Sequence, residues 1–426
     1  MMSIVADQIS SLRHFSPAVR RLLLFTLFAG LGNAVWGLLF NLYLRQAGFR
    51  QDFIGDLNFW SAMASALAAP LAGLLSNQLG QRTMLLAGAG LHMVGLLASV
   101  WFIQPGALII AMVVMGVAFP LWVVSYNPFM ATYSRPDERV SLFSLVSTIW
   151  LGTAMVGSIA GGWLPGALAW LGVVAEAQGV AAYRLATTAG TLLFAPGLVC
   201  LLALPRAAAS RQRVASSDGM PGRAGLWPLP SGALGTVAIL TGVSALLGLG
   251  FGSYFPFTNL YFREGLVASP GMVGLIMGAG QAAGIVGLQF APSLARRFGQ
   301  VRAATLAQAL TMPCLAGMAL AGPLWVGVAF YLGRYAIWNT GSASFDAFQM
   351  EAVPDRLRAT LNSLAGIPGG VGFNLAWALG SALAGRLIVA SGYPAIFIAA
   401  IAFTLPGTAL YFLRFRRTSI PTPGAH

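Results

Sequence analysis

The sequence carries very little charge for its length. Only 8% of its 426 residues are charged, 57% are hydrophobic, and lysine does not occur at all. Soluble domains carry charge on about 25% of their residues, so this composition excludes an ordinary soluble protein and indicates a membrane protein. Cysteine is also scarce, and because Cys200 and Cys314 both lie in apolar segments, a disulfide framework is excluded.

Sequence patterns for catalysis are missing as well. There is no phosphate-binding loop, no set of metal ligands and no nucleophile paired with a base at a plausible spacing. We therefore predict a protein that is not an enzyme and that binds no metal or cofactor. ATP-driven transport by this chain alone is not expected.

The net charge of +13 would suit a nucleic-acid partner, but the positions of the charges exclude one. All 24 basic residues are arginines, and most lie in short segments on one side of the predicted membrane when the N-terminus is placed inside. Because basic residues are enriched in cytoplasmic loops, both termini are predicted to be cytoplasmic. The expected location is the bacterial cytoplasmic membrane, which the chain would cross many times.

Long apolar runs predict the helices. A helix of about 20 apolar residues spans a bilayer, and the sequence offers twelve such segments, of which the long seventh and eleventh are expected to tilt or to project beyond the lipid. The segments are 22–45, 52–76, 83–103, 106–131, 140–166, 180–204, 232–262, 270–294, 302–321, 323–350, 359–390 and 393–413. The polar stretch 205–231 predicts a cytoplasmic linker between an N-terminal bundle (1–204) and a C-terminal bundle (232–426).

The second half of the chain repeats the first. The residues from Asn41 to Arg45, NLYLR, recur 218 positions later as NLYFR, from Asn259 to Arg263. A second pattern, PDER at 136–139, recurs as PDRLR at 354–358. Two similar membrane halves can enclose a site at mid-membrane, so we predict parallel six-helix bundles related by an axis along the membrane normal.

This organisation resembles the major facilitator superfamily. The loop from Gly73 to Leu85 is similar to the family's loop motif, with Asn77 where the family has an aspartate, and 295–300 is a second copy that also lacks the aspartate. The resemblance implies an all-α membrane protein with twelve transmembrane helices in two parallel six-helix repeats. It further implies a monomer in the lipid bilayer that carries a small-molecule substrate, with protons as a further partner, around a cavity lined by helices 1, 4, 7 and 10.

A glycine-rich stretch in the fifth segment bears on the direction of transport. The sequence from Gly157 to Gly162 is similar to the superfamily's antiporter motif, with Ser158 in place of the usual proline. Proton-coupled export of a small amphiphilic molecule is therefore the first hypothesis. The alternatives are uptake or facilitated diffusion of a polar or anionic solute, and a receptor or assembly factor that keeps the fold without transport.

Arg334 is the deepest charge in any predicted segment. It lies about twelve residues into the tenth segment and shares a helical face with Trp338, Gly341 and Phe345. A charge at this depth is costly and should face a polar cavity or a partner. Arg334 could bind an anionic ligand or tune a nearby carboxylate; alternatively, it is a structural arginine that bonds backbone carbonyls or extends toward the membrane surface.

Aromatic and amide side chains supply the other candidate ligand residues. Such a mixture suits a mostly apolar, partly polar ligand, although the same side chains could simply fill helix interfaces. Beside Arg334 and Trp338, the predicted substrate-binding residues are Asn33, Trp36, Phe40, Asn41, Trp122, Tyr126, Tyr254, Thr258 and Tyr261.

Two carboxylates are candidates for proton coupling. Asp346 lies in the tenth segment and Asp56 near the outer end of the second. Burial favours the protonated carboxyl, so alternating exposure could load and release a proton. Asp56 could instead stabilise the first turn of its helix, and Asp346 could pair with a loop arginine. His92 is expected to be packed in the third helix rather than to relay protons.

Charges at the predicted cytoplasmic ends suggest a gate. An acidic helix end that faces basic loops can form an ion-pair network that holds this face closed, and the alternative is a solvated surface cluster. The predicted gate residues are Asn77, Arg82, Arg296, Arg297, Glu351 and Arg358.

Overall fold

A computed structural model describes residues 15–135, 138–205, 231–366 and 370–417, and this part of the chain contains helices and no strand. The helices are α1 (Pro17–Gln46), α2 (Gln51–Leu79), α3 (Gln81–Trp101), α4 (Pro105–Tyr133), α5 (Arg139–Trp170), α6 (Val180–Leu192 and Phe194–Leu202), α7 (Ser231–Gly252), α8 (Pro270–Phe298), α9 (Gln300–Leu320), α10 (Leu324–Glu351), α11 (Val371–Ser391) and α12 (Pro394–Phe415). A short helix, Asp355–Ala365, lies between α10 and α11.

Twelve membrane segments agree with the prediction from the apolar runs. Within the described residues, eleven helices are long and apolar enough to cross a bilayer. The twelfth is α10, which has 28 residues but carries Arg334, Asp346 and Glu351, and these charges lower its hydropathy.

Turns between helices recur at matching places in the two halves. The turns after α2 and α8 contain Gly80 (φ 85°) and Gly299 (φ 77°). Both conformations are left-handed, which explains why both copies of the loop motif keep a glycine.

The seventh and eleventh segments, which the sequence predicts to tilt or to project beyond the lipid, are each interrupted in the structure. Helix α7 ends at Gly252, and a 3₁₀ turn, Phe255–Phe257, precedes a helical turn and the π turn Tyr261–Gly265. Pro256 lies in this break, where it removes a backbone donor and clashes with the preceding turn. The eleventh segment divides into the short helix Asp355–Ala365 and α11, with Pro368 and several glycines in the sequence between them.

The helix pairing in one half matches the pairing in the other. Helix α1 packs against α5 and α6, as α7 packs against α11 and α12, and α4 packs against α2 and α3, as α10 packs against α8 and α9. The seams between the halves are α2 with α11 and α5 with α8. The proposed bundle boundaries stay a prediction, and most of the proposed linker (206–230) lies outside the described residues.

The two halves approach most closely at one end of the molecule. We call the side where α1 begins and α6 ends the linker side, and the opposite side the far side. On the far side, a Cβ atom added to Gly55 of α2 would lie 2.6 Å from Ser381 O of α11. On the other seam, a Cβ added to Gly162 of α5 would lie 2.6 Å from Pro270 O of α8. Glycines therefore allow these helices to pack backbone to backbone.

A pair of exposed positions can report on far-side closure. Trp170 ends α5 and is 87% exposed, and Leu320 ends α9 and is 86% exposed. Spin labels on Trp170→Cys and Leu320→Cys, with Cys200 and Cys314 replaced by alanine, would measure the distance between the halves. We call this labelled pair the far-side reporter.

We expect Gly55→Val to force α2 away from α11 and to shift the far-side reporter toward longer distances. Overpacking a tight contact costs about 1–3 kcal/mol, and here the cost falls on the closed conformation. The matched control is Gly73→Val on the same helix, where an added Cβ would meet nothing within 4 Å. Identical reporter distances in the two variants would contradict the close-packed seam.

Candidate functional site

Three aromatic rings surround the buried Arg334 guanidinium. Its Cζ lies 4.6 Å from the ring centre of Tyr254, 5.2 Å from that of Phe251 and 5.4 Å from that of Trp338, and the side chain is only 3% exposed. We call these four residues the Arg334 cage. Cation–π contacts of this kind stabilise a desolvated guanidinium. The structure thus brings together three residues predicted from sequence and adds Phe251, which lies near the end of α7, three residues before Tyr254.

The cage does not satisfy the hydrogen-bonding capacity of Arg334. Within the described part of the chain, the Arg334 Nε is buried and has no hydrogen-bond partner. A guanidinium offers five donors, and a buried donor without an acceptor is costly. The arrangement is therefore suited to an acceptor that is not part of the described protein.

A small pocket of about 10 Å³ lies along α10 beside Trp338 of the Arg334 cage. Trp338, Ser342 and Asp346 line it at intervals of one helical turn, together with Leu247, Gln308 and Phe345. Asp346 is exposed there. Twelve residues of helix separate it from Arg334, a rise of about 18 Å, so the two charges do not pair directly.

The aromatic candidates of the fourth helix form a cluster within the N-terminal half. The Trp122 ring packs edge-on against Phe25 at 5.6 Å and stacks on Trp150 at 6.1 Å. The Tyr126 hydroxyl shares a hydrogen bond with the Thr26 hydroxyl. In this conformation, Trp122 and Tyr126 are buried against their own half.

The first helix places its candidates against α3. Trp36 stacks on Phe40 at 4.3 Å and donates from Nε1 to Ser99 Oγ at 3.2 Å. Asn33 Oδ1 lies 3.1 Å from His92 Nε2. His92 is 5% exposed and has aromatic neighbours, so the structure places it as the packed side chain that the sequence suggested.

A reciprocal pair of hydrogen bonds joins α1 to the chain after α7 on the far side. Asn41 Nδ2 donates to Pro256 O at 2.6 Å, and Asn259 Nδ2 donates to Leu38 O at 2.8 Å. Both donors and both acceptors are 218 positions apart, so the repeat generates a symmetric contact. Asn41 was a predicted ligand residue, and in this conformation its amide instead forms a hydrogen bond between the halves on the far side.

Two further predicted ligand residues lie outside the Arg334 cage. The Thr258 hydroxyl donates to Tyr254 O at 3.2 Å, and the Tyr261 hydroxyl donates to Met318 O of α9 at 2.7 Å. Both side chains are buried at the far-side end of the C-terminal half. Their hydroxyls satisfy backbone carbonyls, and a ligand role for them stays a prediction.

Glu264 is the main polar connection between the halves, and sequence reasoning missed it. Its carboxylate accepts hydrogen bonds from Arg45 Nε at 2.7 Å, Gln51 Nε2 at 2.8 Å and the Tyr393 hydroxyl at 2.6 Å. We call this group the Glu264 latch. Burial and the neighbouring Glu264 carboxylate raise the pKa of Tyr393 well above its ordinary value, so the hydroxyl stays protonated and continues to donate at alkaline pH.

Asp56 also connects the halves in this conformation. Its carboxylate lies 2.8 Å from Arg386 Nη1 of α11, and both side chains are partly exposed. This position is on the far side, next to the Gly55 seam and away from the Arg334 cage. The structure therefore places one proposed proton carrier in an ion pair and the other, Asp346, in the pocket along α10.

On the linker side, the predicted gate residues bind within their own halves. Arg82 donates to Leu202 O and Leu204 O at the end of α6, both at 2.8 Å, and Glu351 accepts from Gln300 Nε2 at 3.1 Å. Arg358 Nε donates to Met350 O at 2.6 Å, Arg296 Nη2 donates to Ser293 Oγ at 3.2 Å, and the Arg297 guanidinium lies over the Phe298 ring. The Asn77 side chain lies outside the described residues.

The contacts between halves define the conformation. The hydrogen bonds and ion pairs that described residues form across the two halves all lie on the far side. The structure is therefore closed on the far side. A gate network on the linker side stays a prediction for the opposite conformation.

The fold and this pattern of contacts correspond to a known class of membrane transporter. Residues 22–372 match the sequence model of the family described as Major Facilitator Superfamily. The chain belongs to this superfamily and is a multi-pass membrane transporter rather than an enzyme. A search of curated protein sequences gives no match.

Solved structures of transporters share the fold at low sequence identity. The nucleoside transporter NupG superposes with a TM-score of 0.70 at 15% identity, over 94% of this chain and 100% of its own. The D-xylose-proton symporter gives 0.69 at 15% identity, over 95% and 98%. A bacterial homologue of the iron transporter ferroportin, in its inward-facing state, gives 0.69 at 17% identity, over 93% and 98%. These identities establish a common fold and leave the substrate open.

We expect Glu264→Gln to shift the far-side reporter toward longer distances. The variant keeps an acceptor for Gln51 and Tyr393 but loses the ion pair with Arg45, a change on the order of 1 kcal/mol for a partly buried, hydrogen-bonded pair. Glu176→Gln is the matched control, because Glu176 is an exposed far-side acid outside the Glu264 latch. Equal reporter distances in wild type and Glu264→Gln would show that the Glu264 latch does not hold the halves together.

Proposed function

We propose that this chain transports a small amphiphilic molecule by alternating access and that the molecule presents an acidic group to Arg334. The observation that carries this proposal is a desolvated guanidinium within three aromatic rings, whose Nε has no acceptor in the described protein. A carboxylate would supply the missing acceptor, and hydrogen bonds to charged groups contribute about 1.5–3 kcal/mol.

The surroundings of Arg334 also suggest the rest of the ligand. Phe251, Tyr254 and Trp338 offer aromatic surface, and the pocket beyond Trp338 adds the polar groups of Ser342 and Gln308. Apolar contacts with a few fixed polar groups are typical of small-molecule sites. An aromatic or otherwise planar acid fits this arrangement better than a sugar, whose many hydroxyls would need more partners.

The distribution of the arginines between the two sides predicts the orientation of the protein in the membrane. If the linker side is cytoplasmic, as the charge distribution predicts, the far-side-closed structure is inward-facing and both termini are cytoplasmic. The proposed location is the bacterial cytoplasmic membrane, where the protein would act as a monomer. In the outward-facing conformation, the Glu264 latch and the Asp56–Arg386 pair would be broken.

We also propose that transport is coupled to protons and that the net movement of substrate is outward. Asp346 supports the coupling because it lies in the pocket, on the same helix as Arg334, where movement of α10 would change its access to water. The Gly157–Gly162 stretch supports the direction. A Cβ added to Gly157 would lie 2.6 Å from Ala34 Cβ of α1, and Gly162 packs on α8. The glycines of this motif therefore allow α5 to pack closely against both α1 and α8.

Uptake or facilitated diffusion of an anionic solute is the second candidate. The Arg334 cage supports it equally, because an acceptor could enter the cage from either side of the membrane. Flux measured with a pH gradient in each direction distinguishes the two: proton-coupled export requires accumulation driven by the gradient, whereas facilitated diffusion does not respond to it.

We expect Arg334→Lys to weaken binding of aromatic carboxylates and Arg334→Ala to weaken it further. Lysine keeps the charge but loses the planar, bidentate geometry of the guanidinium. The measurement is thermal-shift screening of purified protein with a panel of aromatic carboxylates and their uncharged amides. Arg414→Ala, which removes an exposed charge from the end of α12, is the control. Stabilisation that is equal for acids and amides, or unchanged in Arg334→Ala, would refute the anionic ligand.

We expect Asp346→Asn to abolish substrate accumulation driven by a pH gradient while leaving counterflow of labelled substrate. Counterflow needs no net proton movement, so it separates coupling from binding and conformational change. Asp56→Asn is the comparison: because Asp56 pairs with Arg386, its loss should alter far-side closure more than coupling. If both variants in proteoliposomes accumulate substrate at the wild-type rate, neither carboxylate carries the coupling proton.

A further inference from the structure

A second pocket lies between the halves on the far side, at the opposite end of α7 from the linker. It has a volume of about 270 Å³. Leu42, Arg45 and Gln46 line it from α1, and Leu260, Arg263 and Glu264 line it from the segment after α7. No residue of the Arg334 cage lines the far-side pocket, which is therefore a different site.

The repeat duplicates the lining of this far-side pocket. Leu42 and Arg45 correspond, at the offset of 218, to Leu260 and Arg263, so one arginine from each half faces the same space. A third pair of lining residues differs in charge, because Gln46 corresponds to Glu264. Two guanidinium groups against one carboxylate leave the pocket with a net positive charge.

The two arginines differ in how their charges are compensated. Arg45 pairs with Glu264 and donates from Nη1 to Phe49 O at 2.7 Å. Arg263 donates to Ala268 O at 3.0 Å and to the Gln178 side chain, which are neutral acceptors. These bonds fix the Arg263 guanidinium beside the pocket while its charge has no carboxylate partner among the described residues.

We propose that the far-side pocket binds a small monocarboxylate with an apolar body and that this ligand stabilises the closed conformation. The carboxylate would bridge Arg45 and Arg263, and the body would lie against Leu42, Leu260 and the Tyr183 ring. Opening the far side separates the two arginines, so the bridging ligand binds the closed state more tightly. Such differential affinity shifts the population toward closure.

The experiment uses benzoate as the probe and the full-length protein in lipid nanodiscs. Calorimetric titration measures benzoate affinity, and the far-side reporter measures closure. Both are repeated with Arg334→Gln, so that benzoate in the Arg334 cage cannot be mistaken for benzoate in the far-side pocket. We expect Arg334→Gln to keep a benzoate site and benzoate to shift the far-side reporter toward shorter distances.

Charge variants then test the site itself. Gln46→Glu restores the symmetry of the repeat and cancels the net charge with little change in shape, and Arg263→Gln removes one of the two charges. Each should lower benzoate affinity by roughly fivefold or more. Arg184→Gln is the matched control, because Arg184 donates to the Tyr43 hydroxyl beside the pocket without lining it. This control should leave the affinity unchanged.

Several results would overturn the proposal. They are an absence of benzoate binding in Arg334→Gln, an affinity that neither Gln46→Glu nor Arg263→Gln changes, and a shift of the far-side reporter toward longer distances. The second and third of these outcomes concern only the far-side pocket and leave the proposed substrate site unaffected. Loss of benzoate binding in Arg334→Gln alone would support the Arg334 cage while rejecting the far-side pocket.

Discussion

The constraint on which the structure depends is the cost of burying one positive charge in the middle of a membrane protein. Arg334 is surrounded by Phe251, Tyr254 and Trp338, and its Nε finds no acceptor within the described chain. Cation–π contacts offset part of the desolvation cost and leave the hydrogen bonds unmade. A fold that keeps such a group must offset this cost elsewhere, and under the proposed function an anionic ligand would supply the missing acceptor.

The second organising feature is the internal repeat, because it produces contacts as well as shape. Asn41 and Asn259 are equivalent in the repeat, and so are the carbonyls of Leu38 and Pro256 that accept their hydrogen bonds. The bonds are therefore reciprocal. The Glu264 latch and the far-side pocket depend on a departure from the repeat, where one half has Gln46 and the other Glu264. The repeat thus aligns the halves, and the departure from it places the Glu264 carboxylate in the closed interface.

Some of these contacts could be predicted from the sequence and others could not. The apolar runs and the recurring NLYLR pattern predicted twelve segments and singled out Asn41 and Asn259, because helix length and repetition are local properties. Arg334 with Tyr254 and Trp338 could be predicted for similar reasons. The Glu264 latch could not, because Arg45 and Gln51 lie in the other half of the chain and Tyr393 lies far from Glu264 in the sequence. The break at Pro256 was readable in principle, since proline interrupts a helix, but apolar composition outweighed it.

The most direct test of this account is a structure of the protein with a bound aromatic carboxylate, determined in lipid nanodiscs by electron cryomicroscopy. We expect the carboxylate within hydrogen-bonding distance of the Arg334 guanidinium, about 2.7–2.9 Å, with the ring of the ligand against Tyr254 or Trp338. A structure in which Arg334 bonds to a protein acceptor, or in which its cage stays empty while the ligand binds elsewhere, would contradict it.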